Sequence, residues 1–396
     1  MVDRTPPSSP DLRQEGGGAG RGPLAGIRVV ELAGLGPGPF CCMMLADMGA
    51  EVVRVDRVSQ VGGGQAIDRA LNRGRRTIAV DLKHPDGMET VLRLAERADV
   101  LVEGYRPGVA ERLGVGPDAV RARNPRLVYG RMTGWGQDGP WASQPGHDIN
   151  YIALTGALHA IGSADRPVPP LNLVGDFGGG GALLAFGIVS ALLEATRSGE
   201  GQVVDAAMVD GAALVSTAIH GMRHEGAWED EREANILDGG APYYGTYRTA
   251  DDRWVAVGSV EPQFFAALLE GLGIDPSEIG RQDDRATWPA TRERFAEVFR
   301  TRTRDEWCER LEPLGACFAP VLSLDEAPDH PHVAARGTFV EVEGRRVPGP
   351  APRLSRTPGE VGAPPADPGT HTDAVLRDWG VDGAEIARLR DAGAVA

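Results

Sequence analysis

Short β-branched runs alternate with helix-forming stretches across glycine-rich turns, and this alternation restricts the fold more than any other feature of the sequence. Ile27-Arg-Val-Val-Glu-Leu32 is a strand pattern and Gly34–Pro39 a turn; Phe40–Met48 has helical character closed by Gly49, and Glu51–Asp56 is a second strand. Strands joined by such a crossover lie parallel, with a right-handed connection. The pattern repeats as a strand at 77–81, a helix at about 86–97, a strand at 99–103 and, after more helix, a strand at 126–132. Repeated β–α alternation predicts a doubly wound, Rossmann-like α/β domain, which we assign to residues 23–208.

Beyond it the pattern changes. A long apolar segment at 180–196 reads as a buried helix, 202–205 as one more strand, and about 207–225 as a helix that forms most of a linker helix assigned to 209–234. Residues 244–249 and 254–260, joined by the Ala250-Asp-Asp252 turn, predict a β-hairpin. A helix from Pro262 and charged amphipathic helices over 284–311 follow, so a smaller α+β domain is placed at 235–330. The remainder, 331–396, has β-like pieces near 338–347, a proline-rich link and short helices at 373–379 and 384–391, and is expected to return to the large domain. Residues 1–22 are rich in Pro, Ser and Gly without an apolar signal core, which predicts a disordered tail.

Charge excludes several chemistries. The chain has 41 basic residues, but Lys83 is the only lysine. It lies between Leu82 and His84, so there is no Walker-A loop, and a pyridoxal Schiff base would have to use Lys83 itself. No Gly-x-Ser-x-Gly nucleophile elbow occurs. A net charge of −15 argues against nucleic-acid binding. No run of 18 uninterrupted apolar residues predicts a membrane span. Cys41, Cys42, Cys308 and Cys317 lack CxxC spacing, as expected for a reducing cytoplasm.

Residues 51–131 run against the acidic total, with 15 basic and 11 acidic side chains. Arg54, Arg57, Arg73, Arg75, Arg76, Lys83, Arg106 and Arg112 fall at or just after strand ends and in loops. Ligands of open parallel sheets bind at the carboxyl ends of the strands, and guanidinium forks there suit phosphates. A solvated face with local ion pairs is the other reading. Gly34-x-Gly36-x-Gly38 resembles a dinucleotide fingerprint, but its third glycine comes one residue early. Pro37 and Pro39 also remove two N–H groups. A tight strand-to-helix turn is the preferred reading.

The densest polar cluster is Gly146-His-Asp-Ile-Asn-Tyr151, followed 29 residues past His147 by Asp176, which precedes four glycines. Asp176 before a helix is either an N-cap or a carboxylate beside free amides that could hold an oxyanion. His220 and His224 are spaced i, i+4 but lack a third ligand of supporting spacing, so no metal site is expected. Cys41 and Cys42 read as core packing.

Pro23–Leu32, Leu45–Asp56, Asn72–Thr77 with Asp81-Leu-Lys83, Asp99–Gly108, Tyr129–Gly139 and Ala384–Gly393 together resemble family III CoA-transferases. Gly146–Tyr151, Gly175-Asp-Phe-Gly-Gly-Gly and Glu261 in Val257–Phe264 are similar to the 2-methylacyl-CoA racemase branch. The resemblance implies an enzyme that exchanges the α-proton of a 2-methylacyl-CoA thioester through an enolate. His147 and Asp176 would act on opposite faces, Glu261 would orient His147, and backbone amides after Gly175 would meet the enolate oxygen. It further implies an interlocked homodimer in which Glu261 comes from the partner chain. Arg57, Val80, Asp81, Leu82, Lys83, Gly104, Tyr105, Arg106 and Arg112, with Gly146, Asp148, Ile149, Asn150 and Tyr151, would bind the acyl-CoA. No separate cofactor is implied, because CoA is part of the substrate. The alternative within the family is a CoA-transferase in which Asp176 attacks the thioester; such enzymes typically lack the histidine. The N-terminal tail and the glycine-rich stretch at 61–65 lie outside the resemblance.

Overall fold

The computed structural model describes residues 22–63 and 66–396, so the N-terminal tail expected at 1–22, apart from Gly22, and Gly64 and Gln65 of the glycine-rich stretch lie outside the described residues. Within it, six parallel strands form one sheet. They are β1 (Arg28–Leu32), β2 (Glu51–Asp56), β3 (Arg75–Ala79), β4 (Val100–Glu103), β5 (Val128–Thr133) and, after a short antiparallel pair of β6 (Gly162–Ser163) and β7 (Arg166–Pro167), β8 (Val203–Ala207). The order β3-β2-β1-β4-β5-β8 winds outward in both directions from β1. Val29 pairs with Val52 on one side and Val100 on the other.

The inner strands β1, β2, β4 and β5 bury apolar residues on both faces, as a parallel sheet covered on two sides requires. Val30, Val53, Ile78 and Leu101 point to one face, where Val375, Leu376 and Leu389 of the last two helices (Thr372–Asp378 and Gly383–Asp391), with Trp379 just after the first, cover them. The C-terminal segment is also tied by hydrogen bonds. His371 N–H donates to Thr77 O at 2.9 Å, and Thr372 Oγ1 accepts from Ala79 N–H at 3.1 Å. Alternate residues Val29, Val52, Val100 and Val128 meet helices Pro37–Asp47 and Leu183–Ser198 on the other face. Cys41 and Cys42 are fully buried there, and desolvation raises the Cys42 thiol well above its usual range.

A separate core around Val255, Leu268, Phe295, Phe299 and Trp307 joins an antiparallel sheet of β9 (Tyr244–Arg248), β10 (Trp254–Gly258) and β11 (Phe318–Val321) to the helices Pro262–Leu272 and Trp288–Phe299. The hairpin of β12 (Phe339–Val342) and β13 (Arg345–Pro348) returns to the large sheet's side, where Arg73 Nη1 donates to Pro348 O at 2.7 Å.

Three local expectations need correction. The strand expected at 77–81 starts two residues earlier, at Arg75, in register with Val52. Its first two residues are arginines, and they enter the sheet because Glu31 and Glu51 neutralise them. The helix expected from 180 begins at Leu173 and runs to Ala182 with wide, π-helical turns, as in Phe177 N–H to Asn172 O at 3.3 Å, before continuing as α-helix to Ser198. That helix is not buried all round: Leu184 and Ile188 pack inward, but Phe186 is 70% and Leu193 55% exposed. By length and apolar composition alone, Leu173–Ser198 is one helix that could cross a membrane, although its inner face is occupied by the sheet. The helix expected at 207–225 divides at Ser216, whose hydroxyl donates to the carbonyls of Ala212 and Ala213 in place of the next helical turn.

Leu376→Ala removes a fully buried side chain from the face formed by Ile78 and Leu101. Denaturant unfolding should record a loss of about 2–5 kcal/mol. A change below about 0.5 kcal/mol, typical of surface sites, would contradict the packing of the C-terminal helix on the sheet.

Candidate active site

Because β1 is flanked by β2 and β4, the connections leaving β1 and β4 diverge to opposite sides of the sheet and open a crevice at the strands' carboxyl ends. A cavity of about 620 Å³ occupies this crevice. Its floor is the Gly34–Pro39 turn after β1 and the Gly104–Pro107 loop after β4, and His147, Tyr151 and Asp176 reach it from later elements.

Buried ion pairs hold the floor. Glu31, at the end of β1, accepts from Arg54 Nη1 at 2.8 Å and lies 2.7 Å from Arg75 Nε. Arg75 also donates to Pro39 O, and Arg54 Nη2 donates to Gly34 O at 3.3 Å, so both ends of the turn are tied to these guanidiniums. At Gly36 the backbone adopts φ +66°, a conformation that glycine enters without strain. Across the crevice, Glu103 accepts the Tyr105 N–H at 2.6 Å and the Arg131 Nε–H at 2.9 Å, which fixes the Gly104–Pro107 loop. Burial nevertheless pushes the Glu103 carboxyl above its usual range.

His147 caps the helix Asp148–Leu154, and its N–H donates to Asn150 Oδ1 at 3.0 Å. Asp148 is 5% exposed and turns away from the cavity: its Oδ1 accepts the Asp176 N–H at 2.7 Å. The residue immediately after the histidine therefore grips the amide of the aspartate. Gly175 makes room for this, since a Cβ there would stand 2.6 Å from Asp148 Oδ1. Asp176 lies in the first turn of the Leu173–Ala182 segment, not ahead of it. Burial raises its carboxyl above the usual range, against the hydrogen bond donated by Asn172 Nδ2 at 3.2 Å and the charge of His147.

The glycines after Asp176 act by close approach. A Cβ at Gly179 would stand 2.8 Å from Gly211 C, and one at Gly181 would stand 2.6 Å from Pro37 O. Without side chains the segment settles between the Met208–Val215 helix and the start of the Pro37–Asp47 helix. This brings Asp176 Oδ2 within 3.5 Å of where a Gly36 Cβ would lie. The expected oxyanion role for amides just after Gly175 is not available to the first two. Asp176 N–H is taken by Asp148 and Phe177 N–H by Asn172 O.

The other expected residues divide into three groups. Gly104, Tyr105, Arg106, Gly146 and Asn150 line the cavity with His147, Tyr151 and Asp176. Arg57, Asp81, Leu82, Lys83, Arg112 and Ile149 lie outside its lining, with Arg57, Lys83, Arg112 and Ile149 exposed. Val80 is a core residue whose N–H donates to Asp56 O at 2.9 Å, and Asp148 is the amide clamp just described, so neither side chain faces the cavity. Glu261, exposed at the start of the Pro262–Leu272 helix, does not line the cavity of its own chain.

Of the eight cations grouped by sequence, Arg54, Arg73, Arg75 and Arg76 are held by carboxylates. Arg57, Lys83, Arg106 and Arg112 are exposed and make no ion pair among the described residues. Asn172 was not among the expected site residues, although its i, i+4 spacing to Asp176 was a readable signal.

Replacing Asp148 by Ala leaves the Asp176 N–H without its acceptor, at a cost of about 1–3 kcal/mol. Asp148→Asn retains an acceptor oxygen and should cost less. Urea unfolding of the two variants checks the clamp, and equal losses would argue against it.

The model for CoA-transferase family III matches residues 24–372. Alpha-methylacyl-CoA racemase from Mus musculus is 49% identical over 371 residues, covering 92% of this chain and 96% of that protein. The Homo sapiens protein of that name is 46% identical over 370 residues, with the same shares covered. A CaiB/BaiF family protein from Brucella suis, known from its crystal structure, superposes with a TM-score of 0.77 at 26% identity, over 91% of this chain and all of that one. A glycine turn and an aspartate on a wide-turned helix, meeting at the β1/β4 crevice in a chain matched over nearly its whole length, lead to one assignment: the chain belongs to CoA-transferase family III.

Proposed function

We propose that the chain is a racemase that interconverts (R)- and (S)-2-methylacyl-CoA thioesters by removing and returning the α-proton. The observation that carries this reading is that His147 and Asp176 reach one cavity from the starts of two different helices. Inversion at carbon needs a proton acceptor on one face and a donor on the other, and two groups on separate elements can flank a substrate in that way. The similarity to alpha-methylacyl-CoA racemases supports the same chemistry.

In this mechanism the thioester carbonyl acidifies the α-hydrogen and one group of the pair removes it. The electron pair moves onto the carbonyl oxygen as an enolate, and the other group returns a proton to the opposite face. Asp176 suits both directions because burial brings its carboxyl closer to neutral pH than an exposed aspartate. The thioester is the electron sink, so the reading needs no metal or redox cofactor.

Arg57, Lys83, Arg106 and Arg112 are assigned to the CoA phosphates, as the four of the eight loop and strand-end cations that make no ion pair among the described residues. An apolar acyl chain, as in lipid metabolism, accords with a cavity lined by Leu32, Val102, Met132 and Met208. A second copy of the chain is assigned to the exposed face of Phe186, Val189 and Leu193, with Glu261 reaching the partner's His147 in an interlocked homodimer. The position of Glu261 outside its own chain's cavity supports that arrangement. The four unpaired cysteines support a reducing, cytoplasmic setting.

Incubation with (S)-2-methylacyl-CoA in D2O should place deuterium at the α-carbon and yield the (R) form without any acceptor acid. No exchange, together with a hydroxylamine-sensitive adduct on Asp176, would establish the CoA-transferase reading instead. Asn172→Ala removes a hydrogen bond that favours ionised Asp176, so its carboxyl should rise further. For the enantiomer that Asp176 deprotonates, the acidic limb of kcat/KM should move to higher pH; a stationary limb would count against Asp176 as the base.

A further inference from the structure

Tyr151 is 5% exposed, yet its hydroxyl has no hydrogen-bond partner among the described residues. Two other buried tyrosines are paired, whereas Tyr243, 3% exposed and remote from the cavity, is also unpaired among the described residues. The Tyr129 hydroxyl donates to Val115 O at 2.9 Å, and that of Tyr247 donates to Pro242 O. The Tyr151 oxygen is not itself enclosed, so the hydroxyl is free to donate to whatever enters the space it faces. Tyr151 lines the cavity that contains His147 and Asp176.

Its place is built into the surrounding chain. The ring meets Trp135 edge-on, with centroids 4.7 Å apart. A Cβ on Gly134 would overlap the hydroxyl end of the ring, and one on Gly146 would stand 2.7 Å from Cε1. Two glycines thus leave the volume that the ring fills, which holds the phenol at the cavity wall. Burial and then the negative charge of Asp176 push the phenol up to about 12, so it keeps its proton at neutral pH. Meanwhile the amides of Asp176 and Phe177 are already engaged. Tyr151 offers the enolate oxygen a donor besides the backbone amides.

We propose that Tyr151 is a catalytic residue of the racemisation, donating its phenolic hydrogen bond to the thioester carbonyl oxygen as that oxygen becomes an enolate. This inference rests on the racemase reading. As the α-C–H bond breaks, its proton passes to one of His147 and Asp176. The released pair forms the C–C double bond, and the carbonyl π pair settles on oxygen. The Tyr151 proton remains on the phenol while its hydrogen bond to that oxygen strengthens. On return, the oxygen pair re-forms the C=O bond and the α-carbon takes a proton from the opposite group. A neutral phenol fits this task because its bond is worth more to the anionic enolate than to the resting carbonyl.

Tyr151→Phe keeps the ring and its packing on Trp135, and thermal unfolding and near-UV circular dichroism should match the wild type. Loss of one oxyanion donor should lower α-deuterium exchange at saturation about 100-fold for both enantiomers, with KM changed by less than about threefold. Infrared spectra of bound substrate carrying a ¹³C=O label should show the carbonyl stretch at lower frequency in the wild type than in Tyr151→Phe. Equal turnover in the two proteins would overturn the proposal alone. Reduced turnover with an unchanged carbonyl stretch would also overturn it, placing Tyr151 on Asp176 and not on the substrate. Absence of exchange in the wild type would overturn the racemase reading and this proposal together.

Discussion

Glu31 is fully buried at the carboxyl end of β1, and the site depends on how its charge is met. Arg54 and Arg75 both reach it, from β2 and β3. A buried carboxylate without such partners would be strongly destabilising, and the same is true of either arginine alone. The same guanidiniums grip the carbonyls of Gly34 and Pro39. One ion cluster therefore joins three strands and anchors both ends of the turn that floors the cavity. Glu103 with Arg131 repeats this arrangement on the far side of the crevice.

Between those walls, the positions of His147 and Asp176 follow from one hydrogen bond. Asp148 follows His147 directly in sequence and accepts the Asp176 amide across 28 residues of chain. A shift of one helix start is thereby coupled to the other, as the proposed two-group proton exchange would require. The glycines at 179 and 181 complete the arrangement by letting the Asp176 segment rest on the Met208–Val215 and Pro37–Asp47 helices, respectively. Their contribution to the packing is the absence of a side chain.

Much of the fold was legible because it is written locally. Alternating β-branched runs, glycine turns and amphipathic stretches each report on a few neighbouring residues, and they located the strands of the large sheet to within about two residues. Expectations failed where a distant partner changed the balance. Arg75 and Arg76 look unlike the start of a buried strand until Glu31 and Glu51 are placed beside them. Phe186 and Leu193 look like core residues, yet the chain's own sheet covers only the opposite side of their helix. At the site, His147 and Asp176 stood out as unusual polar residues in glycine-rich surroundings. The clamp role of Asp148 and the contribution of Asn172 did not, since each is defined by what its side chain touches.

The sequence by itself determined the parallel α/β architecture, the scarcity of lysine, and the family motifs that single out His147, Asp176 and Glu261. These rest on residue identity and short-range periodicity. Only the tertiary structure decided which arginines are consumed in the interior and which remain for a ligand, because pairing depends on strands far apart in the chain. It also placed Glu261 outside its own chain's cavity and left the Tyr151 hydroxyl facing that cavity unpartnered. Burial and hydrogen bonding are properties of the packed molecule, and they separate residues that look alike in one dimension.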